Sequence, residues 1–300
     1  MLESKVNKIM NKTLASNKKE LDAAQIQPFC DEVQFGKNGL YLFIAPQGGG
    51  KSFNIAKFIL MTESLQTSKP TSYSANASFQ ANARPYYNTI VYCSTSDGLD
   101  KTLDVFRKKF KTDVKYIDEA KLLPFITHYI NRQKHFYSMV KYLNSNGKVI
   151  DATLEQLFKK HGCINKVKEY KYIMRKLNEY GNPPYPNNML LILDDFLGSD
   201  LLESKKSPLV KILTKLRHYN ITTIISQQST KGIGRTVRRL ASDCALWKGI
   251  GYDDFIDLMR EIPVKADKDY LWELYNSLKN KHDFVEFHFH CDKYKVNRFD

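Results

Sequence analysis

The 300-residue sequence lacks an apolar run of membrane-spanning length, and no signal peptide opens it, so we expect no membrane segment. Cysteine is also scarce: there are five, an odd number without paired spacing. This usage argues against a disulfide-stabilised secreted domain and for a reducing compartment. The chain is therefore expected to be an intracellular protein.

Acidic residues are in short supply as well, since 32 Asp and Glu stand against 46 Lys and Arg, a formal net charge of +14. An excess of this size indicates a polyanionic partner or solubility through mutual repulsion. The basic residues are spread along the chain, and segments 165–176 and 231–239 are candidates for sequence-independent contact with nucleic-acid phosphates. For any single lysine, an ordinary solvated helical face is the alternative.

What the sequence does contain is a glycine-rich turn, APQGGGKS, between an apolar run that predicts a strand and a segment that predicts a helix. Strand, glycine loop, Lys-Ser and helix form the context of a phosphate-binding loop, the Walker A motif. Glycines let backbone N–H groups approach a polyphosphate, and the helix adds the positive end of its dipole. The sequence therefore predicts a nucleotide site here.

Within this loop, Lys51 is expected to bring its charge to the β- and γ-phosphates of ATP, and the Ser52 hydroxyl to ligate Mg²⁺. Ala45 stands where the full pattern has glycine, which alanine tolerates if its φ is negative. The alternative is a glycine-rich turn with a surface lysine. The predicted nucleotide-binding residues are Pro46, Gln47, Gly48, Gly49, Gly50, Lys51, Ser52 and Phe53.

A second chemical motif is the continuously apolar run MLLIL, which predicts a central parallel strand and ends on Asp194 and Asp195. A carboxylate at such a strand tip is where P-loop NTPases hold Mg²⁺, so Asp194 is predicted to be its ligand. Asp195 is then placed to polarise the attacking water. An Asp-rich turn without chemistry is the alternative for this motif taken alone.

A third predicted strand, NITTIISQQS, ends on Ser226, Gln227 and Gln228, whose polar groups would lie beside the γ-phosphate. The order of these three strands predicts an α/β fold of the additional-strand (RecA-like) P-loop ATPase type, with a central, mostly parallel sheet. The predicted organisation is a polar N-terminal arm at residues 1–25 and an ATPase domain at residues 26–300. A polar loop at residues 67–88 and a helical insertion at about residues 99–187 interrupt this domain.

Four segments carry a resemblance to a known family: APQGGGKS, LLILDD, LRHYNITTIISQQ and GIGRTVRRLASDCALWKG. Together they resemble the FtsK–HerA superfamily, and in detail the genome-packaging ATPases of large DNA viruses and virophages. The resemblance implies an ATP-driven double-stranded DNA translocase that packages a viral genome into a preformed capsid. It also implies a homo-oligomeric ring, with capsid or portal-vertex proteins as further partners, in the host cytoplasm, the viral factory or the virion.

The resemblance also implies residue roles. Lys51, Ser52 and Asp194 match the phosphate and Mg²⁺ ligands, and Asp195 stands where the family often has a catalytic Glu. Gln227 matches the sensor. Arg217 matches an arginine that acts in trans on the neighbouring subunit's ATP, for which the candidate substitutes are Arg235, Arg238 and Arg239.

Three other functions are compatible with parts of this sequence. One is a cellular DNA translocase or helicase of the same superfamily, and another is an assembly protein that binds ATP without hydrolysing it. A nucleoside or small-molecule kinase shares the P-loop, but the Gln-tipped strand and the charge argue against it. His288, His290 and Cys291 suggest a metal site, but an edge strand is favoured because no second ligand cluster with zinc spacing exists.

Overall fold

The computed structural model describes the chain in six segments and one isolated position: residues 39–65, 87, 89–95, 101–146, 188–262, 267–289 and 293–296. Several predictions lie outside the described residues, namely those for the arm 1–25, for the first residues 26–38 of the ATPase domain, and for the loop 67–88 apart from Tyr87. The same is true of residues 147–187 of the predicted helical insertion, which include the basic segment 165–176.

A single sheet of eight strands forms the centre of the described chain. The spatial order is β3-β2-β4-β5-β1-β6-β7-β8, parallel from β3 to β6 and antiparallel from there to β8. The strands are β1 Leu40–Ile44, β2 Thr89–Ser94, β3 Val114–Asp118, β4 Met189–Asp194, β5 Ile221–Gln227, β6 Asp243–Trp247, β7 Phe284–His288 and β8 Lys293–Val296.

Strand β5 lies between β1, which leads into the glycine loop, and β4, which ends on the two aspartates. This intervening strand defines the additional-strand P-loop fold, so the predicted fold class is confirmed. β1 and β5 are buried along their whole length, as is β4 except for half-buried Asp194. Helices cover both faces of such a sheet, which explains why these strands read as continuous apolar runs.

Eight α-helices and one short 3₁₀ helix connect the described strands. One of them, α5 (Pro208–Leu213), begins at a Ser-Pro pair: the Ser207 Oγ accepts a hydrogen bond from the Leu209 N–H, and Pro208 occupies the first turn. Among the described helices, none combines the length and apolar character needed to cross a membrane. The helices are α1 Lys51–Leu65, α2 Lys101–Arg107, α3 Glu119–Asn146, α4 Asp200–Glu203, α5 Pro208–Leu213, the 3₁₀ helix Leu216–Tyr219, α6 Arg235–Leu240, α7 Tyr252–Glu261 and α8 Lys268–Asn276.

Two local predictions differ from the structure. The segment 99–187 was expected to be helical, but β3 lies inside it, between α2 and α3 and at the edge of the sheet. Its five residues VKYID are too few and too polar for an apolar strand signature. The final segment was expected to be one edge strand, whereas β7 and β8 form an antiparallel pair in which β8 is the edge.

Candidate functional site

The glycine loop and the aspartate motif leave the sheet on either side of the end of β5. The Ala45 N–H donates to the Gln227 carbonyl at 3.1 Å, and the Asp195 N–H donates to the Ser226 carbonyl at 2.9 Å. Neighbouring strands are about 4.8 Å apart, so the two loops start about 10 Å from each other. The structure thus brings the predicted phosphate-binding and cation-binding motifs to one place.

The backbone of the glycine loop requires its glycines. Gly48 and Gly50 have φ of +69° and +100°, which an L side chain adopts only with strain. A Cβ on Gly49 would lie 2.9 Å from the Ala45 Cβ and 3.0 Å from the Pro46 carbonyl oxygen. Ala45 does not adopt a positive φ, so alanine fits the position where the family pattern has glycine.

Lys51 is the first residue of the 15-residue helix α1, and its Nζ donates to the Ala45 carbonyl at 2.7 Å. The ammonium therefore lies over the loop rather than pointing into solvent. Ser52 is half-buried beside it. The Phe53 ring packs edge-on against Phe106 of α2, with the ring centroids 5.7 Å apart, so this side chain fixes α1 against α2.

Asp194 is held by a neighbouring strand. The hydroxyl of Tyr92, a buried residue of β2, donates a hydrogen bond to Asp194 Oδ2. A carboxylate oriented by such a bond is preorganised for a cation that it meets on its other side. Sequence reasoning missed Tyr92, because the pairing of Tyr92 with the Asp-tipped strand depends on the register between β2 and β4.

Asp195 has a backbone φ of 57°, in the left-handed region. Asp and Asn are the non-glycine residues that tolerate this conformation best. The Gln228 Nε2 lies 3.2 and 3.3 Å from the two Asp195 carboxylate oxygens, and the Thr95 hydroxyl donates to the Asp195 carbonyl at 2.6 Å. An unusual conformation held by several bonds is typical of functional positions.

The two glutamines at the end of β5 have different surroundings. Gln227 is fully buried, and within the described chain neither its Nε2 nor its Oε1 has a hydrogen-bond partner. Gln228 is exposed, and its amide is the one that contacts Asp195. The sensor role of Gln227 stays a prediction, and the structure adds Gln228 as the residue that positions Asp195.

Arg217 lies in the 3₁₀ helix that precedes β5, at the opposite end of that strand from Gln227. A strand of seven residues spans about 20 Å between its first and last Cα atoms. The backbone of Arg217 is therefore distant from the glycine loop of its own chain. The role in trans stays a prediction.

Three basic residues of segment 231–239 form ion pairs. Lys231 lies 3.5 Å from Asp254, and Arg235 and Arg238 lie 3.1 and 2.7 Å from the carboxylate of Glu261. Burial raises the pKa of Glu261, but the Arg238 hydrogen bond and the nearby arginine charges outweigh it, so this pKa lies below its usual value. Arg235 and Arg238 hold α6 to α7, and the three ion pairs leave fewer charges for nucleic acid than the sequence suggested.

Arg238 is the most constrained of the candidate substitutes for Arg217. Its Nη1 also donates to the carbonyls of Thr230 and Ile233, and its side chain is 16% exposed. Arg239 is exposed and forms no ion pair within the described chain. Of the three substitutes, Arg239 is thus the one that the described contacts leave available.

Of the suspected metal ligands His288, His290 and Cys291, the structure describes only His288, which lies beside two carboxylates. His288 Nδ1 lies 2.6 Å from Asp243 Oδ1, on the neighbouring strand β6, and Glu286 is close to both. All three are buried, which explains the polar pair as part of the packing between β6 and β7. His290 and Cys291 lie outside the described residues.

The two described cysteines are not candidate nucleophiles. Burial, together with the charges of Glu119 and Asp118, raises the pKa of the Cys93 thiol to about 12. Cys244 is fully buried in β6, and burial raises its pKa well above its ordinary value. Both thiols stay protonated at neutral pH and act as small apolar core residues.

A cleft of about 570 Å³ opens beside the aspartate motif, at the carboxyl ends of β2 and β3. Its acidic residues are Asp118 and Glu119, and the latter accepts a hydrogen bond from Ser199 at 2.5 Å. The lining residues are Ser94, Thr95, Tyr116, Asp118, Glu119, Ala120, Leu123 and Leu201.

No family model and no curated protein matches this chain. Among solved structures it is similar to the genome-packaging NTPase B204 of Sulfolobus turreted icosahedral virus 2 in complex with ATP-γ-S, with 14% identity, a TM-score of 0.45, and 87% of this chain and 97% of that chain covered. It is also similar to the cytoplasmic domain of the type VII secretion ATPase EccC from Thermomonospora curvata, with 13% identity, a TM-score of 0.43, and 88% and 25% covered. A third similar structure is EssC (ATPases 2 and 3) from Geobacillus thermodenitrificans, with 13% identity, a TM-score of 0.42, and 78% and 36% covered. The neighbours thus include the class of protein that the sequence resemblance named.

Proposed function

We propose that this chain is an ATPase that works in a ring and uses ATP hydrolysis to move double-stranded DNA into a preformed capsid. One observation carries the ATPase part: a glycine loop with Lys51 and a strand tipped by Asp194 and Asp195 flank the end of β5. The glycine loop fits a polyphosphate, and the aspartates fit the cation and the water that hydrolysis requires.

The glycine loop binds the phosphates of ATP. Its backbone N–H groups and the N-terminus of α1 are the donors, and Lys51 adds a full positive charge. The loop holds this conformation through its own hydrogen bonds, from the Gly49 N–H to the Pro46 carbonyl and from the Asn54 Nδ2 to the Gly50 carbonyl, so it is formed before ATP arrives. Binding therefore costs little ordering of the chain.

The residues at this edge of the sheet fit Mg²⁺, since the Ser52 hydroxyl and the Asp194 carboxylate are hard oxygen ligands. Bound there, the cation would neutralise charge on the phosphates. Tyr92 keeps Asp194 oriented toward this task through its hydrogen bond. Ser52 lies on the β1 side of β5 and Asp194 on the β4 side, so both loops would contribute a ligand.

Asp195 orients the attacking water and accepts its proton, and Gln228 holds the Asp195 carboxylate in place. Gln227 responds to the γ-phosphate from the buried end of β5. Arg217 completes the site of a neighbouring subunit. Arginine is suited to this role because its charge is permanent and its planar guanidinium group matches the geometry of phosphate oxygens.

The test of the ATPase is phosphate release by the purified full chain with ATP and Mg²⁺, with and without double-stranded DNA. We expect turnover that DNA stimulates and that Lys51→Ala removes. Binding of ATP without any turnover, in the presence of DNA and with the ring assembled, would instead support the non-hydrolysing assembly protein.

The DNA partner is supported by the net charge of +14. Contacts with phosphates release counterions, so we expect an affinity for DNA that falls steeply with salt and does not depend on sequence. Fluorescence anisotropy with two unrelated duplexes at several salt concentrations measures both properties. A strong preference for one duplex, or an affinity insensitive to salt, would contradict the translocase.

A further inference from the structure

A loop far away in sequence lies against the glycine loop. Leu278–Asp283, which we call the 278–283 loop, connects α8 to β7. Nδ1 of His282 is 3.2 Å from the Gly49 carbonyl oxygen, a contact between residues 233 positions apart. A Cβ on Gly48 would lie 2.9 Å from the Lys281 Nζ, and a Cβ on Gly50 would lie 3.4 Å from the His282 Nδ1.

The 278–283 loop is built into one conformation. The Asp283 carboxylate accepts hydrogen bonds from the N–H groups of Lys279 and Asn280 at 3.1 and 2.9 Å. The bond from Asn280 is the largest of several effects that hold the pKa of Asp283 below its ordinary value. Lys248, just after β6, donates to the Asp283 carbonyl through its N–H at 3.1 Å and to the Lys279 carbonyl through its Nζ at 3.0 Å.

A second segment braces the glycine loop from the same side. Gly249 has a φ of +112°, and a Cβ there would lie 3.1 Å from the Pro46 Cγ. The Tyr275 hydroxyl fixes this turn, because it donates to the Trp247 carbonyl at 2.6 Å and accepts from the Ile250 N–H at 2.7 Å. The turn after β6 and the 278–283 loop before β7 thus form one surface beside the glycine loop, which we call the wall.

The wall places one positively charged side chain, that of Lys281, against the glycine loop. Lys281 is exposed, and it forms no ion pair with any carboxylate of the described chain. Its ammonium nevertheless lies against a loop whose own N–H groups favour an anion. A cation held there is complementary to a polyphosphate.

We propose that Lys281 is a second phosphate-binding lysine, which contacts the polyphosphate of the nucleotide bound in its own subunit, and that His282 fastens the 278–283 loop to the glycine loop. The proposal rests on the nucleotide site proposed above. It adds a charge that comes from the side of the cradle opposite to Asp194, and that no motif in the glycine loop provides.

The test measures the dissociation constants of ATP and ADP for the full chain by calorimetry, for the wild type, Lys281→Met, Lys281→Arg and Lys279→Met. Lys279 is the matched control, because it is an exposed lysine of the same loop whose side chain does not face the glycines. We expect Lys281→Met to raise the dissociation constants of both nucleotides about tenfold. Lys281→Arg should restore most of the affinity, and the control should change it less than about twofold.

A second readout separates charge from packing. If Lys281 contacts phosphate, the salt dependence of ATP affinity is shallower in Lys281→Met than in the wild type, which a structural role would not produce. Wild-type affinity in Lys281→Met, or the same loss in Lys279→Met, would overturn the role of Lys281 and leave the ATP site standing. A wild-type chain that binds no ATP, or an affinity unaffected by Lys51→Ala, would overturn the nucleotide site and this proposal together.

Discussion

The carboxyl edge of the sheet has two sides, divided by the end of β5. On the side of β1, β6 and β7, the side chains of Lys51, Lys281 and His282 lie around three glycines. On the side of β4, β2 and β3 lie the carboxylates Asp194, Asp195, Asp118 and Glu119. One side therefore suits the phosphate anion. The other suits the cation and the water that attacks the phosphate.

The two sides are also built differently. The basic side is fixed by backbone conformation, because the positive φ of Gly48 and Gly50 sets the direction of the N–H groups. The acidic side is fixed by side chains, since Tyr92 and Gln228 hold the two aspartates. A side chain introduced at Gly48 or Gly50 should consequently disrupt the basic side as a whole, whereas loss of Tyr92 or Gln228 should weaken the acidic side only in part.

Removal of the central charge of the basic side should have the largest effect. Lys51→Ala is expected to abolish measurable ATP turnover, because both phosphate binding and transition-state stabilisation lose their cation. Lys211→Ala, which removes an exposed lysine from α5, is the charge-matched control. Normal phosphate release by Lys51→Ala would break the assignment of the basic side.

A charge delivered to the site by a neighbouring subunit should come next. Arg217→Ala is expected to lower turnover by about 10³- to 10⁵-fold and to leave ATP binding intact. Rings mixed from Arg217→Ala and Lys51→Ala subunits should recover part of the activity, since some interfaces then pair an intact loop with an intact arginine. Mixed rings without recovery would remove Arg217 from the mechanism.

On the acidic side, the two aspartates should separate in their effects. Asp195→Asn is expected to slow turnover by about 10²- to 10⁴-fold with ATP affinity preserved, because a base is lost and the geometry is kept. Asp194→Asn should instead raise the Mg²⁺ concentration needed for half-maximal activity. Identical Mg²⁺ titrations for the two variants would show that the carboxylates do not divide the work in this way.

The residues that hold the aspartates should give smaller effects. Gln228→Ala and Tyr92→Phe each remove one hydrogen-bond donor, and a typical bond contributes about 0.5–1.5 kcal/mol. We therefore expect turnover to fall about 2- to 10-fold in each variant. Steady-state kinetics with Mg²⁺ titration should assign the Tyr92 effect to the cation and the Gln228 effect to the catalytic rate. The opposite assignment would contradict the geometry.

Charges away from the edge should alter stability rather than turnover. The pKa of Glu261 lies below its usual value, so its pairing with Arg238 stabilises the fold at neutral pH and is lost as the pH falls through that pKa. Glu261→Gln should lower the melting temperature at pH 7 and reduce its dependence on acid pH. Melting curves between pH 3 and 7 measure this, and parallel curves for variant and wild type would contradict it.

The sequence predicted those parts of the site that a contiguous segment specifies. Lys51 follows its glycines directly, and Asp194 follows its own apolar strand, so local patterns locate both. Lys281 has no such pattern, because its contact with Gly48 depends on how β7 is placed in the sheet. Gln227 and Gln228 show a further reason why the sequence does not specify the whole site. A shift of one residue along a strand turns a side chain to the other face, so Gln227 is buried whereas Gln228 contacts Asp195.

The left-handed backbone at Asp195 has a thermodynamic consequence. A non-glycine residue there costs the folded state about 1 kcal/mol, which glycine would recover. The position thus gives up stability in exchange for a carboxylate at a fixed place, a trade-off common where folding and activity favour different residues. Selection for heat resistance alone should favour glycine at this position, and the resulting protein should be more stable but slower.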